Sequence, residues 1–154
     1  HDQEECFSIS DKVAVMNNGM IEQYDSPENI YTRPATEFVA RFIGFENFLE
    51  LERSGDHEYR ARDNSRFQVD MEWDGPDFAG TIRPDDIRLA EPGQQENVLT
   101  GTVGVRTFLG KSYQYEVNTA SGVLKVNMDT SHVFREGEEL RLYLPKDKLV
   151  LVGR

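Results

Sequence analysis

Ser112-Tyr113-Gln114-Tyr115-Glu116-Val117-Asn118-Thr119-Ala120-Ser121-Gly122-Val123-Leu124-Lys125-Val126-Asn127-Met128 is the stretch that decides the fold. Tyr113, Tyr115 and Val117 alternate with Gln114 and Glu116, and Leu124, Val126 and Met128 resume the alternation beyond a Gly-containing turn. Successive side chains of a strand point to opposite faces, so a period of two describes two strands that each bury one face. The same texture runs from Asn47 to the C-terminus. Phe67, Val69 and Met71 alternate with Gln68 and Asp70, and Leu140, Leu142 and Leu144 repeat the pattern. Further strands are expected near Phe48 to Arg53, Glu58 to Arg62, Ala79 to Arg83, Thr102 to Leu109 and Lys148 to Val152. Many short strands joined by Gly, Asp, Asn and Pro indicate a small barrel. The spacer Ala90-Glu91-Pro92-Gly93-Gln94-Gln95-Glu96-Asn97 divides this region, which periodicity leaves as either two small barrels, 45–92 and 98–154, or one intertwined unit.

Before Gly44 the texture is mixed. Asp2 and Glu5 have the spacing of a capping box, which opens a short helix through about Ser10. Val13–Met16 and Met20–Tyr24 flank Asn17-Asn18-Gly19, residues that tolerate positive φ, and so read as a hairpin. Ser26-Pro27 is an N-cap followed by proline at the first helical position, and Ala35 to Ile43 sets Ala35, Phe38, Val39, Phe42 and Ile43 on one helical face before Gly44 stops it.

Composition excludes several classes. With 28 acidic against 17 basic residues the formal charge is −11, which repels a phosphate backbone and argues against nucleic acid as a partner. No apolar run approaches the roughly 20 residues that span a bilayer, so any membrane association is expected to run through a partner. Cys6 stands alone, makes no internal disulfide and fits a reducing, cytoplasmic setting; beside Phe7 and Ile9 it is expected to pack as a small hydrophobe.

Two blocks carry a family resemblance. His1-Asp2-Gln3-Glu4-Glu5, Ser10-Asp11, Val15-Met16, Gly19, Ile21-Glu22-Gln23, Pro27-Glu28-Asn29-Ile30-Tyr31, Arg33-Pro34-Ala35 and Phe38-Val39-Ala40 resemble the switch-histidine region of ABC transport ATPases. Cys6 and Phe7 depart from the alanine and leucine usual there, although both remain apolar. Ile82-Arg83-Pro84-Asp85-Asp86-Ile87-Arg88-Leu89, Phe108-Leu109-Gly110 and Tyr113-Gln114-Tyr115-Glu116-Val117 resemble the TOBE domain, an OB-like β module. Together they are similar to the ATP-binding subunits of importers for maltose-type sugars, ferric iron, polyamines, sulfate or molybdate.

The resemblance implies a mainly β chain, an OB-like TOBE module preceded by an α/β tail piece of a nucleotide-binding domain. On it residues 1–44 complete that domain and residues 45–154 form the regulatory, dimer-contacting part. It makes His1 the residue that senses the ATP γ-phosphate in a longer subunit. It implies ATP and Mg2+ there, a second copy and membrane permeases as partners, and a place at the inner face of the cell membrane. The sequence has no G-x-x-x-x-G-K-[ST] loop to hold phosphates, so the chain by itself is not expected to bind or hydrolyse ATP. The alternative is a small-oxyanion module, because Asn97-Val98-Leu99-Thr100-Gly101-Thr102-Val103 partly resembles the Asn-x-Leu-x-Gly-x-Val stretch of molybdate binders; Glu96, where a cation would help, weakens it. His57 and His132 lack metal-spaced neighbours and read as surface histidines, and Asp85-Asp86 reads as a turn after Arg83-Pro84.

Overall fold

The computed structural model describes residues 11–154. An antiparallel hairpin, β1 (Val13–Asn17) and β2 (Met20–Asp25), leads to two short helices, α1 (Pro27–Thr32) and α2 (Glu37–Phe42). Asn18 and Gly19 form the turn with φ of 52° and 79°, the paired left-handed conformation that suits the twist of a two-residue hairpin. Ser26 Oγ accepts from Asn29 N (3.2 Å), with Pro27 at the first helical position as the sequence suggests. Thr36 caps α2 by accepting from Val39 N (3.2 Å).

The β region follows as β3 (Asn47–Leu49), β4 (Glu52–Gly55), β5 (Glu58–Arg60), β6 (Arg66–Gln68) and β7 (Phe78–Ile82), then a 3-10 turn (Pro84–Asp86). After it come β8 (Arg88–Leu89), β9 (Val98–Phe108), β10 (Ser112–Thr119), β11 (Gly122–Asp129), β12 (Glu139–Tyr143) and β13 (Val150–Gly153). A five-stranded antiparallel sheet in the order β11-β10-β9-β12-β8 curls into a half-barrel. Three-stranded sheets β13-β7-β3 and β4-β5-β6 complete the module. Strands from either side of the 90–97 spacer share sheets, since β8 pairs with β12 and β7 with β13. One apolar cluster unites Leu49, Phe67, Ile82, Leu99, Tyr115, Val117, Leu124, Val126, Leu142 and Leu151, all buried. The alternating Tyr113, Tyr115, Val117 and Leu124, Val126, Met128 therefore form the inward face of β10 and β11.

A second cluster joins the N-terminal piece to this module. Val13 and Val15 of β1, Ile30 of α1 and Val39, Ala40 and Ile43 of α2 pack with Phe45, Ala79 of β7 and Val150 and Val152 of β13. Burying each of these Val, Ile and Phe side chains is worth about 1.5–3 kcal/mol.

Four expectations are corrected. The helix expected from Ala35 starts only after the Thr36 cap, and Ala35 N instead bonds Gln23 Oε1 (2.9 Å). Its inward face is Val39, Ala40 and Ile43, whereas Phe38 and Phe42 are 37% and 46% exposed. The single strand expected over Phe48 to Arg53 breaks into β3 and β4 as Leu51 turns into the core. Of Phe67, Val69 and Met71 only Phe67 lies in a strand, although Val69 is equally buried.

Candidate functional site

Arg83 closes the junction between the two clusters. Its guanidinium lies 3.9 Å from the Tyr31 ring centre and 4.3 Å from that of Phe45. Nη1 donates to Ile43 O (3.1 Å) and Nη2 to Tyr31 O (3.3 Å), carbonyls left unpaired at the ends of α2 and α1. Gly44, at φ 103°, makes this approach possible, because a Cβ there would stand 3.3 Å from Nη1. Replacing Arg83 by Lys keeps the charge and loses the planar stack and the fork. The expected result is a loss of about 1–2 kcal/mol, read by urea unfolding, with hydrogen exchange rising first in residues 11–45. Uniform exchange across the chain would contradict a junction role.

The outer face of the β1–β2 hairpin is apolar. Cross-strand partners share a face, so Ala14 with Tyr24 and Met16 with Ile21 form one surface opposite the buried Val13 and Val15. Met16, Met20, Ile21 and Tyr24 are 56–70% exposed. The apolar side chains of the N-terminal piece thus divide: Val13, Val15 and Val39 fold onto the β module, and Met20, Ile21, Phe38 and Phe42 stay at the surface.

Asn97, the first residue of the anion-like stretch, is occupied by its own protein. At φ 60° and 3% exposed, it donates through Nδ2 to Gln68 O and Leu144 O (both 2.8 Å) and accepts at Oδ1 from Gln68 N (2.8 Å). Its backbone N donates to Arg66 O (3.0 Å), and its carbonyl accepts from Leu144 N (2.8 Å). The side chain is a splice between β6 and the end of β12. A cavity of about 690 Å3 beside it is walled by Arg66, Gln68, Glu96, Tyr143 and Lys146, so an acid faces the two cations.

Asn47 is a second splice. Its Nδ2 donates to Lys125 O (2.8 Å) and its Oδ1 accepts from Lys125 N (2.7 Å), one rung of pairing given to the edge strand β11. Sequence reading does not single it out, because its partner lies 78 residues away.

His1 and Cys6 fall outside the described residues. His57 and His132 are exposed: the His57 ring sits 3.0 Å from Val69 O, and the His132 ring packs 4.4 Å from that of Phe134. Among the described residues no group of three or more His, Cys, Asp or Glu is placed to hold a metal ion, and no helix is long and apolar enough to cross a membrane. Asp85 and Asp86 lie in the 3-10 turn, where Asp85 Oδ1 accepts from Asn127 Nδ2 (2.9 Å).

Comparison with known proteins bears on this geometry. Residues 80–152 match the model of the TOBE domain. The chain is 39% identical over 135 residues to the spermidine/putrescine import ATP-binding protein PotA of Aster yellows witches'-broom phytoplasma, covering 86% of this chain and 31% of that protein. It is 36% identical to PotA 1 of Pseudomonas aeruginosa, with 96% of this chain and 42% of that protein covered. Against PotA of Acetivibrio thermocellus it is 41% identical over 126 residues, 77% of this chain and 34% of that protein. The chain thus spans less than half the length of these relatives. Among solved structures, the cytoplasmic molybdate-binding protein ModG shares the fold, with a TM-score of 0.56 at 10% identity over 69% of this chain and 94% of that one. A TOBE domain on an interleaved OB-like module, joined through Arg83 to a piece that the PotA relatives also match, places this chain in the family of ABC importer ATP-binding subunits, as a C-terminal part of one.

Proposed function

We propose that residues 1–44 complete the nucleotide-binding domain of an ATP-hydrolysing importer subunit, and that the β module of residues 45–154 serves contact and regulation. The observation that carries this is the two-sided hairpin. One face is consumed by the β module, while the other exposes Met16, Ile21 and Tyr24, a contiguous apolar surface of the kind that marks a contact with another protein surface. A preceding nucleotide-binding domain would supply the second cover. The relatives, of which 31–44% is matched, have the length for it.

On this reading ATP and Mg2+ are held by that preceding portion, with His1 at the γ-phosphate. The subunit works as a homodimer beneath membrane permeases on the cytoplasmic side, and the exposed tip of the β9–β10 hairpin, where Val105, Phe108 and Leu109 are 51–64% exposed, is a surface for the two-fold contact. The cargo is chosen elsewhere; the relatives' names make polyamines the first class to test.

The test is a chimera of this chain with the preceding portion of the Pseudomonas aeruginosa relative. It is expected to hydrolyse ATP in a magnesium-dependent way, whereas the 154-residue chain alone neither binds ATP at micromolar concentration nor turns it over. A folded chimera without turnover would sink the proposal. The uncovered hairpin face also predicts self-association of the chain alone. The double variant Met16→Ser, Ile21→Ser is expected to reduce it in light scattering while stability stays within about 0.5 kcal/mol, as for other exposed positions. Unchanged association would move the contact off this face.

The second reading, a small oxyanion in the cavity beside Asn97, draws on Arg66 and Lys146. Glu96 in the same wall and an Asn97 amide whose two N–H donors are both taken, leaving none for an anion, weigh against it. Calorimetry with molybdate and sulfate is expected to give no heat below millimolar concentration.

A further inference from the structure

The five-stranded sheet has two edges, β8 and β11, and they face each other across a cavity of about 580 Å3. Residues 87–89 form one wall and residues 127–129 the other, with His132 and Phe134 at one end. In antiparallel pairing the backbone groups of successive residues point alternately toward and away from the neighbouring strand. Lys125 turns its N–H and C=O outward to Asn47, so Asn127 and Asp129 do the same two and four residues on. On the facing edge Ala90 N donates inward to Arg141 O (2.8 Å), which turns the backbone of Leu89 toward the cavity. The Asn47 splice shields β11 only at Lys125, and no backbone hydrogen bond among the described residues uses the outward groups at Asn127, Asp129 or Leu89. Natural sheets shield or pair such edges.

The side chains suit one kind of occupant. Ile87, Leu89, Met128 and Phe134 give the cavity apolar surface. At its rim the Asp129 carboxyl accepts through Oδ1 from the Ser131 hydroxyl and from Ser131 N (2.9 Å), bonds that hold it below the usual carboxylate range and leave Oδ2 to a ligand. Arg88, the cation at the rim, is turned aside, its Nη1 donating to Asp85 O (3.4 Å), and the His132 ring packs on Phe134.

We propose that this seam receives a short extended segment of a partner protein, pairing backbone to backbone with Asn127 and Asp129 of β11, with an apolar side chain in the cavity and a basic one on Asp129. The outward groups of residues 127 and 129 stand about 7 Å apart, the two-residue repeat of a strand. Main-chain pairing gives such a complex its affinity and the alternate side chains its selectivity.

The test uses the 154-residue chain and three synthetic hexapeptides: Thr-Val-Lys-Val-Lys-Val, its Lys→Glu counterpart, and the Lys peptide N-methylated at alternate residues. The Lys peptide is expected to bind saturably and to shift the amide resonances of Leu89, Asn127 and Asp129. The Glu and N-methylated peptides should bind at least about tenfold more weakly, given that each removes a charge-assisted contact or the ladder. Asp129→Lys should reverse the preference between the Lys and Glu peptides. Equal binding of the N-methylated peptide, shifts confined to another surface, no binding at millimolar peptide, or an unchanged preference in Asp129→Lys would each overturn the proposal. So would the same amides shifting with protein concentration alone, which would assign the seam to a second copy of the chain.

Discussion

Replacing Asn97 by Ala is expected to lower the stability of the chain by about 3–4 kcal/mol, among the largest effects of any single substitution in the β module. Three backbone groups lose their partner together, namely Gln68 N, Gln68 O and Leu144 O, and the site is 3% exposed, so water reaches it poorly. An orphaned buried group costs about 1–3 kcal/mol, and partial access of water near the loop lowers the sum. Alanine also meets the left-handed backbone at φ 60°, which asparagine tolerates better. Asn97→Gly separates the two causes, since it removes the amide and relieves the backbone; it should recover about 1 kcal/mol of the alanine loss. Asn97→Asp should be no better than alanine, because a carboxylate has no hydrogen to give Gln68 O and Leu144 O. Urea unfolding monitored by fluorescence from Trp73 reads all three. A loss under 1 kcal/mol for Asn97→Ala would mean that β6 and β12 are held together by packing alone.

That splice marks where sequence reading stops. The inward faces of β10, β11 and β12 are legible because one face of each strand is buried and the other wet, which writes a period of two into the chain. The β1–β2 turn and the start of α1 are legible for a local reason, since Asn18-Gly19 and Ser26-Pro27 act within a few residues of themselves. Asn97 joins residues 29 and 47 positions away, and Asn47 one 78 away, so nothing near either announces its role. Asn97 instead reads as part of an anion-binding stretch, a reading that its bonding pattern explains differently. The face of α2 is misjudged because Phe38, Val39, Ala40, Phe42 and Ile43 are all apolar, and only the Thr36 cap and β13 settle which of them turn inward. The seam is invisible until topology brings two edges of one sheet together, and β8, two residues long, carries no pattern of its own.

The second large effect belongs to His1. Its proposed place is beside the transferring phosphoryl group, where an imidazole donor matters as charge develops in the transition state and little in the ground state. Loss of one such donor typically lowers kcat about 100- to 1000-fold. Affinity for ATP should stay within a few-fold, because on the proposed reading the phosphates and magnesium are held by a preceding portion. His1→Gln, which retains a donor, should fall between wild type and His1→Ala.

Residues 1–44 are proposed to complete an ATP-hydrolysing site, with the β module riding on it through Arg83 and the shared core of Val13, Val15, Val150 and Val152. The most direct measurement is the kcat and nucleotide affinity of the chimera with the Pseudomonas aeruginosa relative, with His1 intact and as His1→Ala. The prediction is magnesium-dependent turnover that falls about 100-fold or more in His1→Ala while ATP affinity is nearly unchanged. Turnover in His1→Ala close to that of the intact chimera would contradict it.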